Sequence, residues 1–162
     1  MVLLDGVKEI IGESNTMDNS YLSIAINDYK YAKSIKELGF NNNSVIVCQQ
    51  VCEKLLKSIA EKITKSSDIM RTHRLKKIYD SLDGAITLSL NSELYLSTLS
   101  NFYFDASHPG DDFVNVSDKD AELSYEVMEE VYIAVLDWHN KADTDKIGIN
   151  LLLDAANKII GE

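Results

Sequence analysis

The side chains best suited to chemistry in this sequence are basic and imidazole groups, with hydroxyl, amide and carboxyl groups beside them. Lysine and arginine bind phosphate, and backbone amides at a helix N-terminus strengthen the same positive field. Histidine can move protons near neutral pH, so His108 is the candidate catalytic base. These side chains predict a site for an anionic ligand. The candidate ligand-binding residues fall in three stretches: Gln50, Glu53, Lys54 and Lys57; Thr72, His73 and Arg74; and Ser107 with His108.

Structural roles compete with this interpretation at several of these positions. Gln50, Glu53 and Thr72 are equally suited to capping helices or joining them by hydrogen bonds, because most buried polar groups in proteins serve in this way. His108 precedes Pro109 and can equally be an ordinary loop residue. The sequence alone leaves both roles open.

Several common catalytic motifs are absent from the sequence. It holds no glycine-rich phosphate loop, no His-Glu-x-x-His, no Gly-x-Ser-x-Gly and no paired metal-ligand spacing. Cys48 and Cys52, the only cysteines, lie four apart in a helical pattern and are expected to be small buried apolar side chains. We therefore expect no cofactor and no bound metal.

The charge is unevenly distributed along the chain. The formal net charge of -10 disfavours a protein that coats nucleic acid, because affinity for the phosphate backbone comes mainly from lysine and arginine. Residues 54–77 nevertheless hold eight lysines or arginines against two acids, whereas residues 105–137 hold ten acids against one lysine. The basic stretch is either a solvated face or the place where an anionic ligand binds.

Few residues in the chain interrupt helices. One proline and seven glycines in 162 residues favour long helices over a many-stranded fold. We predict an all-α protein, an antiparallel up-and-down bundle of four to five helices, with an N-terminal extension (1–18), the bundle (19–142) and a C-terminal amphipathic helix (143–162). Either terminal segment can cover the bundle or join two copies. Without a long apolar run or a signal-peptide start, we expect a cytoplasmic protein with no membrane contact.

Apolar residues recur at helical spacing in five segments, and His139 lies on the apolar face of the last, near its expected C-terminus. A packing role is expected for His139, although the helix dipole there would also favour a protonated imidazole. The helices are expected from Tyr21 to Leu38, after Asn43 or Ser44, from Thr72 to about Gly84, after Asn91 or Ser92, and after Ser117.

The second of these helices has the clearest pattern. On its other side from the apolar stripe, Gln50, Lys54, Lys57 and Glu61 form a polar ridge that is either surface or site. The apolar stripe of this second helix consists of Val45, Cys48, Cys52, Leu55, Ile59 and Ile63. In the fourth helix, the side chains expected to pack inward are Leu94, Leu99, Phe102 and Tyr103.

Three stretches together resemble the HEPN family, named for higher eukaryotes and prokaryotes nucleotide-binding. Residues 49–57, Gln-Gln-Val-Cys-Glu-Lys-Leu-Leu-Lys, look like the family's Gln-Gln-Ala-x-Glu-Lys-x-Leu-Lys helix. Residues 72–75, Thr-His-Arg-Leu, are similar to its Thr-His-x-Leu. Residues 104–110 match the position of its Ala-Arg-Tyr-Pro segment, with Ser107 and His108 in place of Arg and Tyr. The resemblance extends from about Tyr21 to Ala142.

This resemblance implies a helical bundle, frequently dimeric, that often lies beside a minimal nucleotidyltransferase in prokaryotic toxin-antitoxin pairs. Some family members are metal-independent ribonucleases that use an Arg followed four to six residues later by a His. That spacing does not occur after Arg71 or Arg74, the only arginines. We therefore expect a non-catalytic HEPN-like domain that binds a nucleotidyltransferase-type protein or a nucleotide or RNA ligand.

Two alternatives remain at this stage. One is a metal-independent ribonuclease toxin that uses His108 with a basic residue from another helix or subunit. The other is a structural dimerisation module whose acidic last helix pairs with a basic partner by complementary charge. A homodimer is expected in either case.

Overall fold

The computed structural model describes residues 19–161, all of whose regular structure is helical. The predicted N-terminal extension, including its apolar residues 2–11, lies outside the described residues. Four long helices form an antiparallel up-and-down bundle, as predicted, and two short helices fill the connection between the second and third of them. The helices are α1 (Tyr21–Glu37), α2 (Asn41–Ile63), α3 (Ser67–Arg71), α4 (Leu75–Ser81), α5 (Leu90–Asp105) and α6 (Asp118–Ile160).

The second helix, α2, is the centre of the bundle and contacts each of the other five helices. Its side chains Val51, Cys52, Leu55 and Ile59 are completely buried. Burying one aliphatic side chain of this size stabilises the fold by about 1.5 to 3 kcal/mol. The core is therefore organised around α2, and the predicted apolar stripe is its main component.

The helices begin and end where local chemistry favours it. Ser20, Ser89 and Ser117 each accept a hydrogen bond from a backbone amide three residues later, which caps α1, α5 and α6. Gly39, with φ of +78°, follows α1 in the left-handed conformation that glycine adopts most easily. These features confirm the boundaries expected for α1 and for the start of α6.

Contacts between α1 and α6 fix their antiparallel register. The rings of Tyr29 and Tyr132 stack at 3.7 Å with an interplanar angle of 4°. Lys36, two turns further along α1, forms an ion pair of 3.1 Å with Glu122, which lies earlier on α6. Residue numbers thus rise along α1 as they fall along α6.

Several local predictions were wrong. The helix α2 begins at Asn41, earlier than expected, because the side chains of Asn41 and Asn42 bind the loop before α6. Thr72 is not the N-cap of α4, because Arg74 occupies that position. Thr72 lies two residues before Arg74, in extended backbone that follows the unpredicted helix α3. Ile63 and Leu94 are exposed, because each lies near a helix end that its neighbours do not cover.

The C-terminal segment is continuous with α6, whereas the sequence suggested a further, separate helix. No proline interrupts the chain between Asp118 and Ile160, and the single interior glycine, Gly148, does not break the helix. All residues from 143 onward in this helix are exposed. Among residues 19–161, no helix is both long and apolar enough to cross a membrane.

His139 is buried on the core face of α6, as predicted, but not near its C-terminus. Its Nε2 lies 2.9 Å from the Ser58 hydroxyl, and Lys62 Nζ lies 3.5 Å from Nδ1. Burial, helped by the positive charge of Lys62, lowers the pKa of His139 to about 4. The imidazole is therefore neutral at pH 7, contrary to the protonated form considered from the sequence.

The neutral state of His139 predicts how stability depends on pH. Because its pKa is lower in the folded chain than the ordinary 6.5, the unfolded chain binds the extra proton between these values, and stability falls as pH falls. We expect His139→Gln to reduce the slope of unfolding free energy between pH 6.5 and 5 by up to about 1.4 kcal/mol per pH unit. Urea unfolding at each pH measures this slope. Asn150→Gln, an exposed change on the same helix that removes no titratable group, is the control and should leave it unchanged.

Candidate functional site

The carboxylate of Glu53 is the centre of a hydrogen-bonded cluster on α2. Lys57 Nζ donates to it at 2.6 Å, Gln49 Nε2 donates at 3.0 Å, and His73 Nδ1 lies 3.1 Å from both of its oxygens. The side chain of Glu53 is only 13% exposed. We call Gln49, Glu53, Lys57 and His73 the Glu53 cluster.

Helical spacing explains how this cluster forms. Gln49, Glu53 and Lys57 are successive fourth residues of α2, so their side chains lie one above the other on a single face. That face meets the connection between α3 and α4, where Gln49 Nε2 also donates to the His73 carbonyl oxygen at 3.3 Å. The amide of Gln49 is thereby oriented, because reversing it would point its oxygen at two other oxygens.

Opposing effects act on the pKa of Glu53. Burial raises it, whereas hydrogen bonds from Lys57, Gln49 and His73 lower it, and the combined result is a pKa below the ordinary value. The carboxylate is therefore ionised at neutral pH and holds these three side chains in place.

Lys57 does not lie on an exposed ridge, as the helical wheel had suggested. It is 3% exposed, and its ammonium group is paired with Glu53. A lysine this buried needs a paired charge, because an isolated ammonium group is costly to remove from water. Lys57 is consequently engaged within the protein.

The predicted ridge is also divided at Lys54 and Gln50. Lys54 forms an ion pair with Asp28 of α1, on a different side of α2 from the Glu53 cluster. Gln50 is half-buried, and only Glu61 of the four ridge residues is exposed. The ridge does not act as one surface because α2 has neighbours on every side.

Tyr103 links the two remaining predicted stretches. Its ring lies nearly parallel to the His73 imidazole, with centroids 6.0 Å apart and an interplanar angle of 16°. One turn later on the chain, the Ser107 hydroxyl donates to the Tyr103 carbonyl oxygen and lies 2.8 Å from His108 Nδ1. The residues His73 and Ser107 are therefore both anchored to Tyr103.

The exposed parts of this region carry positive or titratable groups. The His73 side chain is 55% exposed, and Arg74, Ser107 and His108 are exposed as well. Thr72 has a structural role, since its hydroxyl accepts a hydrogen bond from the Arg74 amide at 3.2 Å. We call the surface formed by His73, Arg74, Tyr103, Ser107 and His108 the His73–His108 surface.

Asn42 holds the loop that follows His108. Its side-chain amide donates to the carbonyl oxygens of Ala106 and Val114, at 3.2 and 3.0 Å, and its oxygen accepts from the Val116 amide at 2.9 Å. The three consecutive asparagines at residues 41–43 were a signal for such loop binding, but the sequence did not show which loop they would meet.

Gln49 and Tyr103 were also missed as site residues. Gln49 belongs to the family-like stretch 49–57, yet its inward orientation depends on where the α3–α4 connection lies. Tyr103 was expected only as a packing residue. Within the described part of the chain, no group of three histidine, cysteine or acidic side chains could hold a metal ion.

The Glu53 cluster predicts a large effect of neutralising Glu53. Glu53→Gln leaves the buried Lys57 charge without a partner, so we expect the unfolding free energy at pH 7 to fall by about 3 kcal/mol. The control Glu61→Gln, exposed on the same helix, should change it by less than about 0.5 kcal/mol. Urea unfolding compares the two variants with the parent chain.

The same pair of variants has an expected pH dependence. Because the folded-state pKa of Glu53 is lowered, its contribution to stability is present above the ordinary glutamate value and is lost as pH falls through the folded value. The deficit of Glu53→Gln should therefore shrink below about pH 4. Equal costs for the two variants at pH 7 would contradict the role assigned to this carboxylate.

The comparison with known families identifies the fold. The family model described as HEPN domain matches residues 19–138, about three quarters of the chain, and ends inside α6 at the residue before His139. No curated protein and no solved structure matches the chain. The match includes the Glu53 cluster and the His73–His108 surface. The chain therefore belongs to the HEPN domain family.

Proposed function

We propose that this HEPN domain is a non-catalytic binding domain for a nucleotide-type ligand, which it takes up at the His73–His108 surface. The observation that carries the proposal is the position of Tyr103, which stacks beside His73 and holds Ser107 through its backbone carbonyl. This arrangement brings the basic start of α4 beside the Tyr103 ring, with the hydroxyl-imidazole pair of Ser107 and His108 about one helical turn further along the chain.

The chemistry of this surface suits a base with phosphate groups. Tyr103 and His73 offer flat faces on which a nucleobase can stack, an interaction worth about 1 to 3 kcal/mol per base. Arg74 presents a planar guanidinium group that binds phosphate oxygens in pairs. The Ser107 hydroxyl and the His108 imidazole add further hydrogen-bonding groups at the far side.

The Glu53 cluster fixes the position of His73 for binding and removes Lys57 from the candidate catalytic groups. His73 has its Nδ1 held by Glu53, and the nearest buried cation, Lys57, is neutralised by the same carboxylate. Lys57 is therefore engaged within the protein, whereas the His73 ring, oriented through its Nδ1, is 55% exposed and can contact a ligand. The absence of the Arg-x(4-6)-His spacing from the sequence agrees with this reading.

A protein partner of the nucleotidyltransferase type, as in a toxin-antitoxin pair, belongs to the same proposal. A groove of about 580 Å³ between α5 and α6 has apolar walls that include Leu94 and Leu123, with the carboxylates of Glu126 and Glu130 beside them. Such a groove suits a partner that presents aliphatic side chains next to basic ones. Its position differs from that of the His73–His108 surface, so both can be occupied together.

Nucleotide binding can be measured directly by isothermal titration calorimetry with ATP and AMP. We expect Arg74→Ala to weaken binding about tenfold, the loss that follows from removing one charge-assisted hydrogen bond. Lys146→Ala removes the same charge from the exposed end of α6 and should leave the affinity unchanged. The proposal is wrong if neither nucleotide binds at millimolar concentration, or if the two variants lose affinity equally.

Ribonuclease activity is the competing function, favoured by the exposed His108 next to the Ser107 hydroxyl. We expect purified protein to leave RNA intact in the presence of EDTA, with no difference between the parent chain and His108→Ala. Gel analysis of a labelled single-stranded RNA checks this. Metal-independent cleavage that disappears in His108→Ala would replace binding with catalysis as the function of this surface.

A further inference from the structure

The last part of α6 is an amphipathic helix with an uncovered apolar face. Residues 143–160, which we call the α6 tail, extend beyond the bundle by about 27 Å, at 1.5 Å per residue, and all of them are exposed. An exposed aliphatic stripe of this size is unusual on a monomer and marks an interaction surface. The large side chains of the stripe, 56% to 81% exposed, are Ile149, Leu152, Leu153, Ile159 and Ile160.

This stripe continues the core-facing side of α6. Val135 is completely buried against the rest of the bundle. Steps of seven residues, about two helical turns each, lead from Val135 to the half-buried Ala142 and on to Ile149 and Ala156, all on one side of the helix. The α6 tail therefore presents to solvent the same side that the bundle covers earlier in the helix.

The bundle ends beside the start of the α6 tail. Lys62, in the last turn of α2, has its Nζ 3.5 Å from His139 Nδ1, so α2 stops close to the level where the tail begins. The last residue of α2, Ile63, is 45% exposed although it is aliphatic. A helix that lay along the stripe and ended near Ala142 would therefore also meet Ile63.

The charges of the α6 tail suit a second tail that runs in the opposite direction. Lys146 and Asp154 lie on the same flank of the stripe, about 80° apart around the helix. In an antiparallel pair with its two-fold axis at residue 151, Lys146 lies about 3 Å along the axis from the level of Asp154 in the second copy, and symmetry repeats this contact. A parallel pair would instead place identical residues side by side, so like charges would repel.

The same register aligns the apolar side chains. Ile149 faces Leu153 of the second copy, and Leu153 faces its Ile149, as two-fold symmetry requires. Ile160 of the second copy comes level with Ala142, close to the exposed Ile63 at the end of α2. A single antiparallel arrangement thus covers the aliphatic stripe and also brings opposite charges together.

We propose that the α6 tail is a dimerisation helix, which pairs antiparallel with the α6 tail of a second copy of this chain. The family match ends at residue 138, so this interface uses residues outside the matched domain. The His73–His108 surface lies toward the opposite end of the bundle, where Asn42 at the start of α2 binds the loop that follows His108. The dimer is therefore independent of the proposed function.

A membrane surface fits the α6 tail less well than a second copy does. Helices that lie on membranes carry an excess of basic residues on their polar side. Residues 143–160 hold two lysines and three aspartates, so the tail has a small excess of negative charge. Anionic lipids would therefore not attract its polar side.

Sedimentation equilibrium of the full chain, from low to high micromolar concentration, tests this assignment. We expect a reversible dimer whose dissociation constant rises at least tenfold in Leu153→Asp, because the change places a carboxylate from each copy inside the interface. Leu151→Asp is the matched control, since Leu151 is 65% exposed but lies on the other side of the helix, and it should leave the constant nearly unchanged. A parent chain that stays monomeric over this range would overturn the proposal, as would equal effects of the two variants.

A charge exchange tests the direction of the pair. Lys146→Asp and Asp154→Lys should each raise the dissociation constant about threefold to tenfold, because each change brings like charges together at both ends of the interface. The double variant restores opposite charges and should recover most of the parent affinity. A double variant without recovery would contradict the antiparallel pair and overturn the proposal. A monomeric parent chain that binds vesicles of anionic phospholipid would assign the stripe to a membrane surface and overturn it too.

Discussion

The burial of polar side chains on α2 is the constraint on which the arrangement of the site depends. Because five other helices surround α2, its polar positions cannot all reach water, and each buried donor or acceptor needs a partner. Glu53 pairs with Lys57, Gln49 Nε2 and His73, and Ser58 meets His139 on α6; the buried Gln49 Oε1 is the exception, without a hydrogen-bond partner among the described residues. These pairings tie α2 to the α3–α4 connection on one side and to α6 on another.

Because of this constraint, the site has a buried layer of paired side chains around Glu53 and an exposed layer of side chains outside it. His73 belongs to both layers, since its Nδ1 is held by Glu53 while more than half of its side chain is exposed. Tyr103 stacks its ring beside His73, and its backbone carbonyl oxygen accepts a hydrogen bond from the Ser107 hydroxyl. Preorganised side chains lose little conformational freedom on binding, which is how a small surface can achieve useful affinity.

The sequence predicted where the long helices lie and the caps Ser20 and Ser117, because these caps act through contacts only three residues long; α5, however, is capped by Ser89 and begins at Leu90, before the expected Asn91 or Ser92. Sequence periodicity failed where contacts with other helices determine whether a side chain is buried. A helical wheel assigns one buried and one exposed side, so Lys57 was expected at the surface, whereas a central helix buries several sides. The family-like motifs include most of the residues that meet at the Glu53 cluster, but the contact between Tyr103 and His73 could not be derived, because it joins residues 30 apart in the chain.

The uneven charge along the sequence becomes an uneven distribution of charge over the surface of the folded domain. Ion pairs neutralise part of this charge, since Lys36 pairs with Glu122 and Lys76 pairs with Glu93. Arg71 and Arg74 remain exposed around the α3–α4 connection, while Glu122, Glu126 and Asp137 remain exposed along α6. The proposed anionic ligand and the proposed basic partner would therefore be attracted to different faces of the same bundle. Because fields between exposed charges weaken with salt over about 10 Å, these attractions direct encounter, whereas the Glu53 cluster, shielded from solvent, keeps its geometry.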